Sequence, residues 1–309
     1  MSMPALDIVP APPPGSLPQP APHTGEGRVE ARGYWARVWR QLARDPVTIA
    51  CAIILFAIVL SSIFADHLAP ADPYKTSMLN RLEPFGQRSY ILGSDELGRD
   101  LLSRLLYGGR LSLLMGVTPV VGALLAGGLL GVVAGFVGGA VNTAIMRTVD
   151  VFYAFPSVLL AIAISGSLGA GIGNAILSLT IVFIPPISRV SESVTTGVRN
   201  LDYVAAARAS GAGAWSIMRV HVLRNVLGPI FVYATSLISV SIILASGLSF
   251  LGLGVEPPNA EWGLMLNTLR PAIYLNPAVA ALPGAAILVT SICFNLLTDG
   301  LRQAMDVRA

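Results

Sequence analysis

Six long apolar stretches dominate this sequence of 309 residues and restrict the folds that are open to it. They lie near residues 47–65, 111–136, 148–170, 172–190, 227–252 and 278–298. A helix of roughly 20 apolar residues is long enough to cross the hydrocarbon core of a bilayer. Charged residues make up only 12% of the chain, whereas a soluble domain usually holds about 25%. The sequence therefore predicts an all-α membrane protein with six transmembrane helices.

The distribution of positive charge predicts the side of the membrane on which each loop lies. An even number of spans places both termini on the same side. If that side is the cytoplasm, the inner segments hold most of the 20 lysine and arginine residues, and the loop at 66–110 holds most of the others. Because basic residues accumulate in cytoplasmic loops, we expect a multi-pass protein of the inner (plasma) membrane with both termini in the cytoplasm.

The region around the first span divides into three parts. Residues 1–33 hold eight prolines and no apolar core, which predicts a disordered cytoplasmic tail and not a signal peptide. Residues 34–66 are the expected N-terminal anchor helix region, and residues 67–110 the expected extracytoplasmic loop. Cys51 and Cys293 lie in apolar spans without C-x-x-C spacing. We interpret them as small buried hydrophobic residues, in preference to a disulfide or a metal site.

Several kinds of chemistry have no residues to support them. His23, His67 and His221 fall in three different segments, so they predict no shared metal site. The single lysine, Lys75, lies in the outer loop, whereas a P-loop needs a lysine directly before Ser or Thr to reach nucleotide phosphates. We therefore predict no catalytic residue, no cofactor and no metal in this chain, and no nucleic-acid partner.

Charged residues are also missing near the centres of the spans, which disfavours an ion-coupled carrier. They stand instead three residues apart near the predicted cytoplasmic ends, as Arg147 with Asp150, Arg189 with Glu192, and Asp299 with Arg302. This spacing places each pair on one helix face. Interfacial anchoring and contact with a partner below the membrane both remain open as explanations.

A row of glycines in the second span predicts a tight helix contact. Gly127, Gly131, Gly135 and Gly139 recur every four residues, so they form one stripe on a helix. Because small residues let helix backbones approach closely in a bilayer, we expect another span to pack on this stripe and the lipid bilayer to surround the bundle.

Prolines and one tryptophan predict further local features. Pro185 and Pro186 lack a backbone N–H, so we expect a kink or an end of the fourth span there. Trp262 lies in the outer segment "GLGVEPPNAEWG" (252–263). Its ring suits the interface between membrane and water.

The inner segment between the fourth and fifth spans is rich in small and basic residues and reads "YVAAARASGAGAWSIMRVHVLRNVL" (203–227). Asp202 stands at a favourable N-cap position before strong helix formers. Gly211 and Gly213 interrupt this helix, and the following residues predict a second helix with Trp215 and Val222 on one face. The residues alone leave two interpretations open: a docking element for another protein, or an ordinary amphipathic interfacial loop.

Five motifs, in one order, resemble those of the C-type membrane subunit of dipeptide/oligopeptide permeases. They are "LGSDELGRDLLSRLLYGGRLSLLMG" (92–116), "MRTVDVFYAFPSVLLAI" (146–162), "YVAAARASGAGAWSIMRVHVL" (203–223), "LSFLGLGVEPPNAEWG" (248–263) and "FNLLTDGLRQAMDVR" (294–308). The resemblance covers about residues 35–308. It implies the MetI-like fold of a type I ABC importer permease, with the transmembrane core at 111–300 and a short cytoplasmic tail at 301–309.

The resemblance also implies an activity and a set of partners. An importer of this kind translocates di- or oligopeptides and combines such a subunit with a homologous second permease, two ABC ATPase subunits and an extracytoplasmic solute-binding protein. Its coupling loop, about 191–226 here, docks on an ATPase. The match to the motif assigns its key positions to Ala205, Ala206, Ala207, Gly211 and His221. Two positions depart from the family pattern: Ala205 replaces a glutamate, and Arg224 replaces a proline.

Some alternatives remain open at this point. The same architecture is compatible with import of a nickel chelate, glutathione or an opine-like solute, because selectivity belongs largely to the binding protein. A secondary carrier is the alternative of another class. In the outer motif, Asp95, Glu96 and Asp100 favour a structured loop over a calcium site, because no EF-hand spacing follows.

Overall fold

The computed structural model describes residues 40–87 and 90–305, and within these ranges every named secondary-structure element is a helix. The main helices are α1 (Pro46–Ile63), α2 (Leu101–Val137), α3 (Gly139–Tyr153), α4 (Ser157–Leu168), α5 (Ile172–Arg199), α6 (Asp202–Ala209), α7 (Leu223–Phe250), α8 (Trp262–Thr268) and α9 (Pro277–Met305). Shorter helical turns lie at Ala65–Leu68, Met78–Asn80, Ala214–Ser216 and Arg270–Tyr274, and a π-helical segment, Ile217–Val222, leads into α7. The proline-rich tail predicted at 1–33 lies outside the described residues.

Among the described residues, five helical stretches are long and apolar enough to cross a membrane. They are α1, α2, α5, α9 and the stretch Ala214–Phe250, which contains α7. The bent pair α3 and α4 makes a sixth if it is counted as one span. The all-α membrane class predicted from the apolar stretches is therefore confirmed.

The third predicted span, 148–170, is not one continuous helix. α3 ends at Tyr153, α4 begins at Ser157, and their axes differ by 86°. Pro156 accounts for the break, because it supplies no backbone N–H and disfavours helical geometry at the residue before it. Its ψ of 124° is extended. The apolar pattern is continuous here, but the helix is not.

α5 behaves differently, because it continues through Pro185 and Pro186. A helix end at these residues, one of the two outcomes that the sequence suggests, is therefore wrong. Pro185 is buried, and its neighbours Phe183 and Ile187 belong to the main hydrophobic core. This core lies where α5, α2 and α7 meet, so the packing around the prolines helps to hold the helix together.

α2, α5 and α7 form the centre of the bundle, and α9 and α1 lie beside it. α1 packs on α9, where Cys51, Leu55 and Cys293 form a small buried cluster. Both cysteines are buried and free, in agreement with the sequence-based interpretation. An added Cβ at Gly300 in α9 would lie 2.9 Å from Thr48 Cγ2 in α1, so the two helices are in close contact there.

The two ends of the bundle carry different elements. We call the end that holds residues 200–222, between α5 and α7, the loop end. We call the other end, which holds residues 64–100 and 251–276, the cap end. Arg104, at the start of α2, joins the two segments there, because it donates hydrogen bonds to the carbonyl oxygens of Pro73 at 3.1 Å and Asn259 at 3.2 Å.

Candidate functional site

α6 is the first half of the element at the loop end. Its N-cap is Leu201, and no side chain caps the helix. Asp202 is the first helical residue, so the predicted N-cap at Asp202 is wrong by one position. Its carboxylate still lies in the first turn, where the helix dipole favours negative charge.

Gly211 ends α6 with a backbone conformation that favours glycine. Its φ is +80°. Its N–H donates to the carbonyl oxygen of Arg208 at 3.0 Å, and the N–H of Ala212 donates to that of Ala207 at 3.1 Å. This pair of bonds is a Schellman cap, in which the left-handed residue satisfies the last helical carbonyls. Gly211 therefore sets the direction in which the chain leaves α6.

The alanines of α6 differ in what surrounds them. Ala205 and Ala206 are exposed, whereas Ala207 is half-buried. Ala207 packs in a cluster with Val204 and Ile217. One side of α6 is thus anchored to the bundle, and the other presents small side chains that allow another surface to approach its backbone.

His221 lies next to α6 and is connected to it. Its ring centroid is 6.2 Å from that of Tyr203 in α6. Asn225 Nδ2 donates to Tyr203 Oη at 2.8 Å and to the carbonyl oxygen of His221 at 2.7 Å. The structure therefore brings His221 and the alanine helix into one connected element, as their shared motif suggested.

The second half of this element differs from the prediction. Trp215 is 72% exposed, whereas Val222 is fully buried, so the predicted shared face is wrong. The turns over Ile217–Val222 are π-helical. Hydrogen bonds from i to i+5 make these turns wider than α-helical ones, which moves the later side chains around the axis. Trp215 is left as an exposed apolar side chain of the element.

α2 and α5 are in very close contact along three of the predicted glycines. A Cβ added at Gly127 would lie 2.7 Å from the carbonyl oxygen of Ile184, and one added at Gly131 would lie 2.9 Å from the backbone nitrogen of Glu192. At Gly135 it would lie 2.7 Å from the carbonyl oxygen of Glu192. These distances leave no room for a side chain, so the backbones touch.

Gly139 does not continue this contact, and its assignment to the stripe is wrong. α2 ends at Val137, and Gly138 caps it with a φ of +73°. Gly139 is the first residue of α3, where an added Cβ would have no atom within 4 Å. A four-residue spacing describes a stripe only while the helix continues. Gly138 itself approaches the guanidinium of Arg199.

Charged residues near the loop end connect α5 to α3. Arg189 forms an ion pair with Asp150, and its guanidinium lies 4.8 Å from the ring centroid of Tyr153. Glu192 Oε1 accepts a hydrogen bond from Asn142 Nδ2 at 2.7 Å. Arg189 therefore pairs across helices and not with Glu192 on its own helix. These contacts fasten the bent α3 to α5.

The predicted structured loop at the cap end contains a buried network of ion pairs. Asp95 Oδ2 lies 2.6 Å from Arg99 Nε and 3.3 Å from Arg104 Nε. Asp95 and Arg104 are each only 2% exposed. Glu96 Oε1 lies 2.9 Å from Arg99 Nη2, and burial raises the pKa of the Glu96 carboxyl. Two arginines thus neutralise the carboxylates of this motif.

Trp262 and Glu261 hold α8 against the cap end of the bundle. Trp262 is 3% exposed, and its Nε1 donates to the carbonyl oxygen of Leu105 at 2.9 Å, so its ring packs within the protein. Glu261 Oε1 accepts from Ser112 Oγ at 2.9 Å, and Oε2 accepts from the N–H of Leu264 at 2.8 Å. Burial raises the pKa of Glu261. This residue was not predicted from the sequence, although a carboxylate directly before a helix in a mainly apolar region was a usable signal.

The bundle has the fold of an ABC importer's membrane subunit. A solved structure described as inward-facing conformations of the MetNI methionine ABC transporter matches with a TM-score of 0.56. The match covers 66% of this chain and 97% of that chain at 17% identity. A likeness at this identity shows the fold alone, and it confirms the predicted MetI-like permease fold.

The chain belongs to the family described as the binding-protein-dependent transport system inner membrane component, whose family model matches residues 127–309. A second family model, the N-terminal TM domain of oligopeptide transport permease C, matches residues 33–84. The predicted resemblance to C-type permeases is therefore confirmed. The chain is a membrane component of a binding-protein-dependent transport system.

Curated relatives cover most of the chain. The di/tripeptide transport system permease protein DppC of Pseudomonas aeruginosa is 42% identical over 87% of this chain and 90% of that protein. The glutathione transport system permease protein GsiD of Pectobacterium atrosepticum is 39% identical over 89% and 91%. The dipeptide transport system permease protein DppC of Alkalihalophilus pseudofirmus is 37% identical over 94% and 95%.

Proposed function

We propose that this chain is the membrane-spanning permease subunit of an ATP-driven importer that translocates di- or oligopeptides delivered by an extracytoplasmic binding protein. The observation that carries this proposal is the similarity, over most of the chain, to permeases named for di/tripeptide and dipeptide transport. Its partners are a homologous second permease and two ABC ATPase subunits. ATP hydrolysis belongs to those ATPases.

The coupling site of this proposal is the element that runs from α6 through Gly211 to Val222. Ala205 and Ala206 are exposed at its surface. The helical stretch Ala214–Phe250 joins the second half of this element to a candidate membrane span. A displacement of the element by an ATPase would therefore act directly on α7, with no flexible linker between them.

The orientation follows from this assignment. The loop end faces the cytoplasm, where the ATPases bind, and both termini lie on the same side. The cap end faces the extracytoplasmic space. The ion pairs around Asp95 and the Glu261 contacts hold its segments together, which suits the delivery of substrate by a binding protein.

Glutathione is a second candidate substrate, and the similarity to GsiD at 39% identity supports it. Glutathione is itself a tripeptide, so it requires no change of architecture. Nickel-chelate or opine-like cargo would also use the same architecture. The secondary-carrier alternative is wrong, because the chain belongs to a family of binding-protein-dependent transport components.

Reconstitution tests the proposal. The purified chain alone is expected to show no ATPase activity, whereas the complex of both permeases, two ATPases and the binding protein should take up labelled dialanine with substrate-stimulated hydrolysis. Parallel uptake of labelled glutathione distinguishes the two candidates. ATP turnover by the isolated chain above the level of contaminants, or dialanine uptake without the ATPases, would contradict the proposal.

A further inference from the structure

The coupling element enters α7 through a segment of unusual helical geometry. Its preceding turn, Ala214–Ser216, and the whole of α7 are α-helical, whereas Ile217–Val222, which we call the π segment, is π-helical. At the end of this segment the N–H of Leu223 donates to the carbonyl oxygen of Met218, five residues earlier. A π turn closes its hydrogen bond over one residue more than an α turn, and such turns occur frequently at functional sites.

The π geometry decides which side chains enter the core. Ile217 is 1% exposed and Val222 0%, and both belong to the cluster that also contains Val204 of α6. Consecutive residues of an α-helix lie about 100° apart around its axis, so residues five positions apart would point about 140° away from each other. An α-helix could not direct both side chains into one cluster. The wider π turn brings them to the same side.

The same residues carry a second apolar face, which fits an α-helix. Trp215 and Val222 are seven positions apart, which is only about 20° short of two full α-helical turns. Met218 lies between them near the same stripe, and this is the face that the sequence predicts. In the structure Trp215 points outward and is 72% exposed. The segment therefore has two helical registers, and each directs a different apolar residue, Ile217 or Trp215, toward the core beside Val222.

We propose that the π segment is a two-state joint between the ATPase-docking helix α6 and the membrane span that contains α7, and this inference rests on the proposed function. In the π register Ile217 is packed in the core and Trp215 is exposed. A change to α geometry shifts the preceding turn by about one residue, or roughly 100°, relative to α7. Ile217 then leaves the core and Trp215 turns toward it. A movement of the coupling element is thereby linked to a rotation at the start of a span.

The chain before the joint has room for this rotation. α6 ends at Ala209 and the next helical turn begins at Ala214, so residues 210–213 form a short link without helical structure. A Cβ added at Gly211 or at Gly213 would have no atom within 4 Å, so the space around the link is open. Small changes of backbone angle spread over this link can therefore absorb the rotation while α6 stays docked.

One side chain connects α6 to the π segment directly. Asn225 Nδ2 donates to Tyr203 Oη in α6 at 2.8 Å and to the carbonyl oxygen of His221, in the π segment, at 2.7 Å. This pair of bonds needs both the observed position of α6 and the observed path of the backbone at His221. It therefore favours the π register while α6 lies where the structure shows it. A displacement of α6 that breaks the bond to Tyr203 shifts the balance toward the α register.

Deletion of Val220 tests the joint in the whole complex. Val220 lies in the π segment and is 47% exposed. Its deletion leaves Ile217 and Val222 four positions apart, which is the spacing of one face of an α-helix, so both stay in the core without a π turn and the second register is lost. We expect normal insertion and normal copurification of the ATPases. Dialanine uptake should fall by at least about tenfold, because a joint with a single state cannot alternate.

Val220→Ala is the matched control for the deletion. It shortens the same exposed side chain but retains the length of the chain and therefore both registers. Its dialanine uptake, normalised to the amount of the chain in the membrane, should equal that of the wild type.

A labelling experiment observes the two registers directly and also covers the case in which the shortened chain does not assemble. With Cys51 and Cys293 replaced by serine, Ile217→Cys should resist a maleimide in the complex without nucleotide, because Ile217 is buried. An ATP analogue that the ATPases cannot hydrolyse should raise its labelling rate about tenfold, as expected when a state populated to about 10% becomes the main one. Val226→Cys is the control, because Val226 is buried in the same cluster but lies in α7; it should stay protected in both conditions.

Several results would overturn the two-state joint. They are wild-type uptake after deletion of Val220, an equal loss of uptake in Val220→Ala, unchanged protection of Ile217→Cys with the analogue, and joint labelling of Ile217→Cys and Val226→Cys, which indicates a general opening of the cluster. Failure of the proposed function looks different, because the wild-type complex would then take up no dialanine at all. Normal uptake by the wild type together with any of these results contradicts only the joint.

Discussion

Replacement of Gly211 by valine tests the coupling assignment most directly. The structure gives this glycine a φ of +80°, and an added Cβ would have no atom within 4 Å. The Cβ of the new side chain therefore meets no neighbouring atom, and the main cost of the substitution comes from the backbone. A β-branched residue in this region costs about 1–3 kcal/mol.

The chain can respond to this strain in two ways. It can retain the conformation and carry the strain, or it can leave the left-handed region and lose the cap. Losing the cap breaks the hydrogen bonds from Gly211 to Arg208 and from Ala212 to Ala207, at about 0.5–1.5 kcal/mol each. Either cost is small for a bundle of this size, so the chain should still insert. What changes is the angle between α6 and the segment that leads into α7.

Two further variants separate this effect from the simple loss of a glycine. Gly213 has a φ of −66° and a ψ of 148°, and an added Cβ there also meets nothing within 4 Å. Valine accepts these angles, so Gly213→Val should behave like the wild type. Gly211→Asn should retain much of the activity, because asparagine tolerates the left-handed region better than valine does.

The assay measures copurification of the ATPases and dialanine uptake, both normalised to the amount of the chain in the membrane. Gly211→Val is expected to reduce ATPase copurification, or to permit ATP hydrolysis without uptake. Uptake per molecule at the wild-type level in Gly211→Val would refute the reasoning. Equal losses in Gly211→Val and Gly213→Val would refute it as well, because the loss would then not depend on the left-handed backbone.

Three other predictions concern the fold and the topology. Gly131→Leu should separate α2 from α5, because a Cβ there would lie 2.9 Å from the Glu192 backbone nitrogen. It should lower the yield of folded chain and reduce the free energy of unfolding by about 1–3 kcal/mol. Treatment with the azo oxidant diamide should join the adjacent thiols of Cys51 and Cys293 in an intramolecular disulfide, visible by mass spectrometry as the loss of two hydrogens. With Cys51 and Cys293 replaced by serine, an impermeant maleimide should label Tyr274→Cys from outside intact cells, because Tyr274 is 92% exposed at the cap end. It should label Ser210→Cys only after lysis.

Each of these predictions has a control and an outcome that contradicts it. Gly166→Leu in α4 should be tolerated, because a Cβ there has no atom within 4 Å; equal damage by both leucines would exclude a specific helix contact. Cys293→Ser should abolish the disulfide, and a wild-type chain that diamide leaves reduced would contradict the α1–α9 packing. The reverse labelling pattern would show that the charge distribution gives the wrong orientation.

Features that depend on one continuous segment were predictable from the sequence. The apolar stretches identify the spans, and the spacing of Gly127, Gly131 and Gly135 marks the face of α2 that touches α5. The end of α6 at Gly211 could also be read, because a glycine after a run of alanines signals a left-handed cap. These are regularities of a single helix, and they need no knowledge of its neighbours.

Contacts between distant segments were not predictable in the same way. Ser112 and Glu261 are 149 residues apart, and nothing local in either motif shows that a buried carboxylate joins them. Arg189 illustrates the same limit. Its spacing to Glu192 suggested a pair on one helix, but the structure places Asp150 of α3 beside it. That contact depends on the packing of α3 against α5, and the bend that follows α3 was also missed.

The prolines show why local rules alone do not decide such a bend. Pro156 and Pro185 both lack an N–H, yet the chain breaks at the first and stays helical at the second. Pro156 and its neighbours are exposed, whereas Pro185 is buried next to Phe183 and Ile187 in the main core. Packing on α2 and α7 offsets the hydrogen bond that α5 loses, and no comparable packing supports a straight helix through Pro156.

The same distinction between packing and exposure applies to the two departures from the family's coupling motif. Ala205 and Arg224 are both exposed, whereas the core of the element consists of Val204, Ile217 and Val222. The element therefore folds without the usual glutamate and proline, and their absence changes only the surface offered to a partner. A shorter, uncharged side chain at position 205 permits closer approach and removes one negative charge. If an ATPase docks on this element as proposed, its groove would contact position 205 through shape and not through a basic residue paired with a glutamate.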